Sequence, residues 1–301
     1  RSYSSAASDV YKRQFTNSGI AAGTVFGYVV TALIISRYSW EWVFYSFGIL
    51  GIFWYLFWDR YITSYPEDNQ RITNQELEYI RSTAPSKSTA PKIPLSRLIK
   101  NMPFMAIAVA TFCNNWALYT FLSYLPKYVN GPITSGGLGV ELDSSLFIYL
   151  ILIPSIVSIF SLLFGGFLAD SLIKKGHNIL NVRRSVNSIG FFGSAVFLYM
   201  ISLQDSMYQV LLLLCLINLC SGICAGGFGV NHADLGPKYT GSLVGISGSL
   251  GMLAAISSPI VAGYVLEISN SWNSIFYICS SVLIFGGIFY LFFSSATKQF
   301  E

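Results

Sequence analysis

Residues 144–169 read SSLFIYLILIPSIVSIFSLLFGGFLA, 26 positions without an Asp, Glu, Lys or Arg. A helix needs about 20 mostly apolar residues to cross a bilayer, so this stretch is long enough for one span. Seven more charge-free runs lie at 14–36, 42–58, 101–126, 185–204, 206–233, 239–266 and 268–297. Over its 301 residues the chain is 53% apolar and 11% charged, against roughly 25% charged in a soluble domain. Its charges sit in the connections, which excludes a water-soluble globule. A membrane barrel would alternate polar and apolar residues, and stretches such as QVLLLLCLINLC (209–220) do not. The expected fold class is therefore an all-α polytopic membrane protein with about eight transmembrane helices.

The distribution of basic residues predicts an orientation. If the connections between runs alternate sides, 16 of the 18 Lys and Arg fall on one side and 2 on the other. Cytoplasmic loops carry the excess of Lys and Arg, so both termini and the 59–100 loop are expected in the cytoplasm. Residues 1–14, RSYSSAASDVYKRQ, have no cleavable signal pattern and read as a leader foreign to the fold. The five cysteines all lie in apolar runs, where Cys behaves as a small hydrophobe. Cys220 and Cys224 share a helix face, but without His or carboxylate beside them no metal is expected. No cofactor is implied, and the net charge of +4 lacks the basic, aromatic-interleaved surface of a nucleic-acid binder.

The organisation expected is 15–60 as two spans of a first bundle, 61–100 as a cytoplasmic linker, and 101–301 as a six-helix bundle. In the linker, Thr73-Asn74-Gln75-Glu76 has the form of a capping box opening a short helix, followed by the Pro/Ser-rich APSKSTAPKIP (84–94). Two spans beside six suggest a protein of two six-span halves in which four further spans precede residue 15.

Three segments carry candidate functional residues. In GGFLADSLIKKG…NVRR, Gly166 and Asp170 end a span, and Lys174, Lys175, Arg183 and Arg184 follow. A carboxylate there pairs with loop arginines to hold one face of a bundle closed; the competing reading is topology alone. In AGGFGVNHADLGPKYTGSLVGISGSLG, His232 and Asp234 end a span of small residues, and Gly241, Gly245, Gly248 and Gly251 follow on the next. Small residues let helices approach or leave space for a cavity. His232 has two readings, an interfacial cap and a proton or gate group. In FCNNWALYT (112–120), Asn114, Asn115, Tyr119 and Thr120 place polar groups within two turns. Amides are costly in lipid, so they face the bundle interior, either to contact substrate or to join helices. Pro154 and Pro259 are expected to bend their spans.

These segments, with WEWVFYSFGILGIFWYLFW (40–58), SYPEDNQRITNQELEYI (64–80) and above all NHADLGPKYTGSLVGISGSLG (231–251), resemble the anion/cation symporters of the major facilitator superfamily. That group includes sialin, the vesicular glutamate transporters, the sodium/phosphate cotransporters and plant organellar anion transporters. The resemblance covers about residues 15–295. It implies a twelve-helix fold, eight helices of which are present here, and a secondary active transporter of organic anions or inorganic phosphate, coupled to protons or sodium, working by alternating access. Asn114, Asn115, Tyr119 and Thr120 would then contact a small anionic substrate, and Gly166, Asp170, Arg183, Arg184, His232 and Asp234 would gate or couple.

Three departures stand out. The family's anion-coordinating arginines lie mainly in the first four spans, Asn114-Asn115-Trp116 is nearer the sialin and phosphate branches, and Gly248 stands where the family often has Asn. The spans of this chain hold no Lys or Arg, so they orient an anion without neutralising it, and the 301 residues are not expected to carry anions alone. A channel, a non-transporting receptor or an inactive fragment are the alternative readings. An enzyme is not expected, since intramembrane catalysis needs an acid, base or metal set within the spans. The plasma membrane, endolysosomal and organellar membranes all remain open as the location.

Overall fold

The computed structural model describes residues 19, 22–63, 65–69, 72–83, 94–141, 145–204 and 206–300. The leader 1–14 and most of the Pro/Ser-rich linker stretch lie outside them. The chain divides into two compact units, Phe26–Lys92 and a larger one of Ile93–Glu301 with the first 25 residues.

The smaller unit takes in α1 (Ala22–Ile35) from Phe26 onward, and a turn leads from it to α2 (Glu41–Tyr61), in which no side chain is buried. Its aromatic residues meet one another along the helix instead, edge-to-face between the N-cap Trp40 and Phe44 and tilted between Trp54 and Trp58, with ring centroids 5.9 Å apart in each pair. An amphipathic helix α3 (Asn74–Thr83) follows. Its start bears out the first half of the capping box: the Glu76 backbone N–H donates to Thr73 Oγ1 at 3.3 Å.

The larger unit begins with a short helix, α4 (Leu95–Ile99). The apolar runs then become α5 (Met102–Asn130), α6 (Ser145–Lys174), α7 (Ile179–Ile201), α8 (Met207–Ile223) continued by α9 (Phe228–Leu235), α10 (Thr240–Ser269) and α11 (Trp272–Phe293). Among the described residues, six segments are long and apolar enough to cross a membrane: α2, α5, α6, α8 with α9, α10 and α11. Helix α7 has the length as well, but carries Arg183, Arg184 and Asn187 in its first turns. No strand occurs among the described residues.

Helix α5 packs on α10 and α11, α6 on α8, and α7 on α8 and α11. Phe160, Phe164 and Phe167 of α6 point outward and stay exposed; lipid tails solvate such side chains as well as a core does. One end of this bundle holds Lys174, Lys175, Arg183, Arg184 and Lys238, and is called the basic end below.

Glycines set how closely three helices meet there. A Cβ on Gly165 of α6 would lie 2.6 Å from Ile223 Cα and 2.8 Å from the Gly222 carbonyl oxygen, and one on Gly226 would lie 2.5 Å from the Gly165 carbonyl oxygen. Only backbone against backbone fits. The sequence CAGGFG (224–229) also lacks the propensity to continue a helix, so the span breaks into a 3₁₀ turn at Cys224–Gly226 and restarts as α9.

Candidate functional site

The break positions the polar groups of the basic end. Arg183, in the second turn of α7, sits beside it and is 5% exposed. Its Nη1 donates to the Gly226 carbonyl at 2.8 Å, and its Nε donates to Asp234 Oδ2 at 2.9 Å. One guanidinium thus grips the turn that precedes α9 and the carboxylate near the end of α9. The other polar residues of α9 reach different neighbours. Asn231 Nδ2 donates to Tyr290 Oη of α11 at 2.8 Å, and His232 Nε2 lies 2.7 Å from Ser247 Oγ of α10. Both side chains are buried, Asn231 at 0% exposure and His232 at 4%. In eight residues α9 bonds α7, α10 and α11, and so acts as the hub of this end.

Arg184 turns the other way. Its Nε and Nη2 donate to the hydroxyl and carbonyl of Ser294 at 3.0 and 2.9 Å. A cation there suits the negative end of a helix dipole, and Ser294 is the C-cap of α11.

The pairing expected from sequence, Asp170 with Arg183 or Arg184, is replaced by these two arrangements. Asp170 is half-buried at the end of α6, within electrostatic reach of Arg183 and Lys174. Arg183 is taken by Asp234, a residue 51 positions away that the helix break brings into contact. Gly166 is buried in α6 next to the Gly165 contact.

The polar quartet of α5 does not converge. Neighbouring helix positions are turned about 100° apart, so Asn114 and Asn115 face different helices. Asn114 Oδ1 accepts from Ser221 Oγ at 3.4 Å and lies 3.7 Å from Cys224 Sγ, while Asn115 Nδ2 donates to the Gly251 carbonyl of α10 at 3.2 Å. Tyr119 also faces α10, with its hydroxyl 3.6 Å from the Met252 sulfur. Thr120 is buried and donates back to the Trp116 carbonyl of its own helix at 2.8 Å, the local bond by which hydroxyls are satisfied inside apolar helices.

Asn114 lines a cavity of about 80 Å³ between α5, α7, α8 and α11, whose other polar side chains are Ser194, Asn218 and Ser221. On α10, Gly251 lies against Thr111 and Asn115, whereas Gly241, Gly245 and Gly248 have nothing within 4 Å of a notional Cβ. The small residues thus serve close approach at one position and open space at three.

Sequence reasoning passed over Asn187, Asn231, Ser247 and Tyr290. Asn187 had a signal: it stands one helical turn after Arg183, on the same face of α7. Asn231 opens the NHADL block itself.

A bundle of long apolar helices with a buried polar hub at one end defines an integral, multi-pass α-helical membrane protein. The Major Facilitator Superfamily model matches residues 15–253 and again 137–299, and the chain belongs to that family. Its relatives include probable anion transporter 4, chloroplastic, of Oryza sativa subsp. japonica, 32% identical over 94% of this chain and 47% of the relative. Sialin of Homo sapiens is 31% identical over 94% of this chain and 57% of its own length. Vesicular glutamate transporter 2.1 of Danio rerio is 33% identical over 93% and 48%. The chain spans about half the length of the curated relatives it matches. The resemblance to anion/cation symporters carried by the NHADLGPKY block agrees with these relatives.

Proposed function

We propose that this chain is part of the moving machinery of a secondary active anion transporter, coupled to protons or sodium and working by alternating access. On this reading 15–60 supply the last two spans of one bundle, 61–100 a linker, and 101–301 the second bundle. Leader, linker and basic end lie in the cytoplasm, as the 16-to-2 division of basic residues favours. The reading does not involve catalysis on covalent bonds.

The observation that carries it is the α9 hub. A helix of eight residues, set off by a glycine-rich break, is held by one largely buried ion pair and two further side-chain hydrogen bonds to three helices. Such an element has two discrete states, bonded or released, which a gate requires. Arg183, Asp234, Asn231 and His232 hold the basic end closed, and Asp170 adds negative charge close to Arg183. The relatives' names, anion and glutamate transporters among them, support a small anion as cargo. Asn115 and Tyr119 on the α10 face and Asn114 in the neighbouring cavity would orient it.

The test is uptake of radiolabelled phosphate and of organic anions by liposomes that hold these residues as part of a full-length, twelve-span protein. Saturable uptake that needs a proton or sodium gradient, and falls in Asp234→Asn, is expected. Flux linear in concentration and indifferent to gradients would make the protein a channel and overturn the reading.

A further inference from the structure

Beyond the hub, the last residues of the chain do not leave the bundle. After α11 ends at Phe293, the tail crosses the basic end with four kinds of anchor. Ser294 is held by Arg184 of α7. The backbone N–H groups of Gln299 and Phe300 both donate to the Leu235 carbonyl, at 2.7 and 3.1 Å. That carbonyl ends α9 and would otherwise lack a helical partner. The Gln299 side-chain carbonyl accepts from Asn101 Nδ2, the N-cap of α5, at 3.2 Å. Phe300 is 3% exposed; its ring lies beneath Arg97 of α4, 5.9 Å from the guanidinium carbon, and its Cβ would be 3.2 Å from a Cβ on Gly236.

Between these anchors the tail has no regular structure. Its central residues bond one another: the Thr297 backbone N–H donates to Ser295 Oγ at 3.1 Å, and Gln299 Nε2 donates to Thr297 Oγ1 at 3.0 Å. Thr297 and Lys298 are exposed. The segment is pinned at both ends, exposed at Thr297 and Lys298 between them, and has one deep apolar anchor.

We propose that residues 294–300 form a strap that fastens α9, with the Arg183–Asp234 pair it carries, to α4 and the head of α5. The two structures it joins are the hub of the basic end and the point at which the linker enters the bundle. Lifting Gln299 and Phe300 together frees the terminal carbonyl of α9, Asn101 and Arg97. The strap thereby adds a direct link between α9 and α4, beside the packing of both on α5, and couples release of α9 to movement of α4.

Hydrogen–deuterium exchange on the protein in lipid nanodiscs tests this without reference to transport. A chain stopped after Ser295 keeps the Arg184–Ser294 bonds and loses the strap; Phe300→Ala removes only the deep anchor. In both, amide exchange in α9 and α4 should accelerate at least tenfold relative to wild type, while α6 and α10 in the same samples stay unchanged. Unchanged exchange in α9 and α4 would overturn the proposal. So would acceleration spread evenly over α6 and α10, since the tail would then be an ordinary part of the fold.

Discussion

Removing the Asp234 carboxylate strikes the hub where its charge is. Arg183 is 5% exposed and Asp234 17%. In Asp234→Ala the guanidinium keeps the Gly226 carbonyl and loses its counter-charge while still buried. Stripping one partner from a fully buried pair costs about 3–5 kcal/mol. The partial exposure of Asp234 lets water reach the Nε side and lowers the expectation to about 2 kcal/mol. Thermal unfolding in detergent should then fall by roughly 4–8 °C. The double variant Arg183→Met with Asp234→Leu removes the charge and its desolvation together and leaves only the Gly226 carbonyl short of a donor. It should therefore regain all but about 1 kcal/mol. A melting temperature for Asp234→Ala indistinguishable from wild type, or a double variant less stable than the single, would refute the buried-clamp reasoning.

Asn187 is fully buried, and neither atom of its amide group has a hydrogen-bond partner; Asn187→Leu should raise stability by about 1 kcal/mol in the same melts, whereas an equal fall would mean that a bound water satisfies the amide. Gly165→Ala forces a Cβ to within 2.6 Å of Ile223 Cα and should cost about 1–3 kcal/mol, while Gly245→Ala, with open space around it, should gain a few tenths of a kcal/mol from helix propensity; equal effects would contradict the close packing of α6 on the break. In a cysteine-free background, Lys175→Cys and Thr134→Cys, both exposed, should label from opposite membrane faces, Lys175→Cys from the cytoplasm, and labelling of both from one face would sink the topology.

The spans were legible because lipid imposes a simple demand, about 20 uncharged residues each, and charges punctuate the chain accordingly. The capping box at Thr73 was legible because its bond is local. The hub was legible only in part. Asp170, Arg183, Arg184, His232 and Asp234 all drew notice as charges at span ends, but which pairs with which depends on the break at Cys224–Gly226 and on glycine contacts between α6, α7 and α8. Those contacts are long-range, and nothing near Asp234 in sequence names Arg183. On α5 the reverse happened. Adjacency made Asn114, Asn115, Tyr119 and Thr120 look like one site, whereas helical rotation sends them to α8, α10 and the backbone of α5 itself. The tail had no sequence signal, since ATKQFE resembles any polar terminus until Phe300 is found buried.

Counterflow tests the central claim, a carrier with a releasable gate at the basic end, most directly. Liposomes holding these residues as part of a full-length, twelve-span protein, and preloaded with unlabelled substrate anion, should take up labelled anion faster than empty ones, because a loaded carrier returns faster than an empty one. Asp234→Ala should alter that acceleration without abolishing membrane insertion. Uptake indifferent to internal anion, in protein that still transports, would contradict the account.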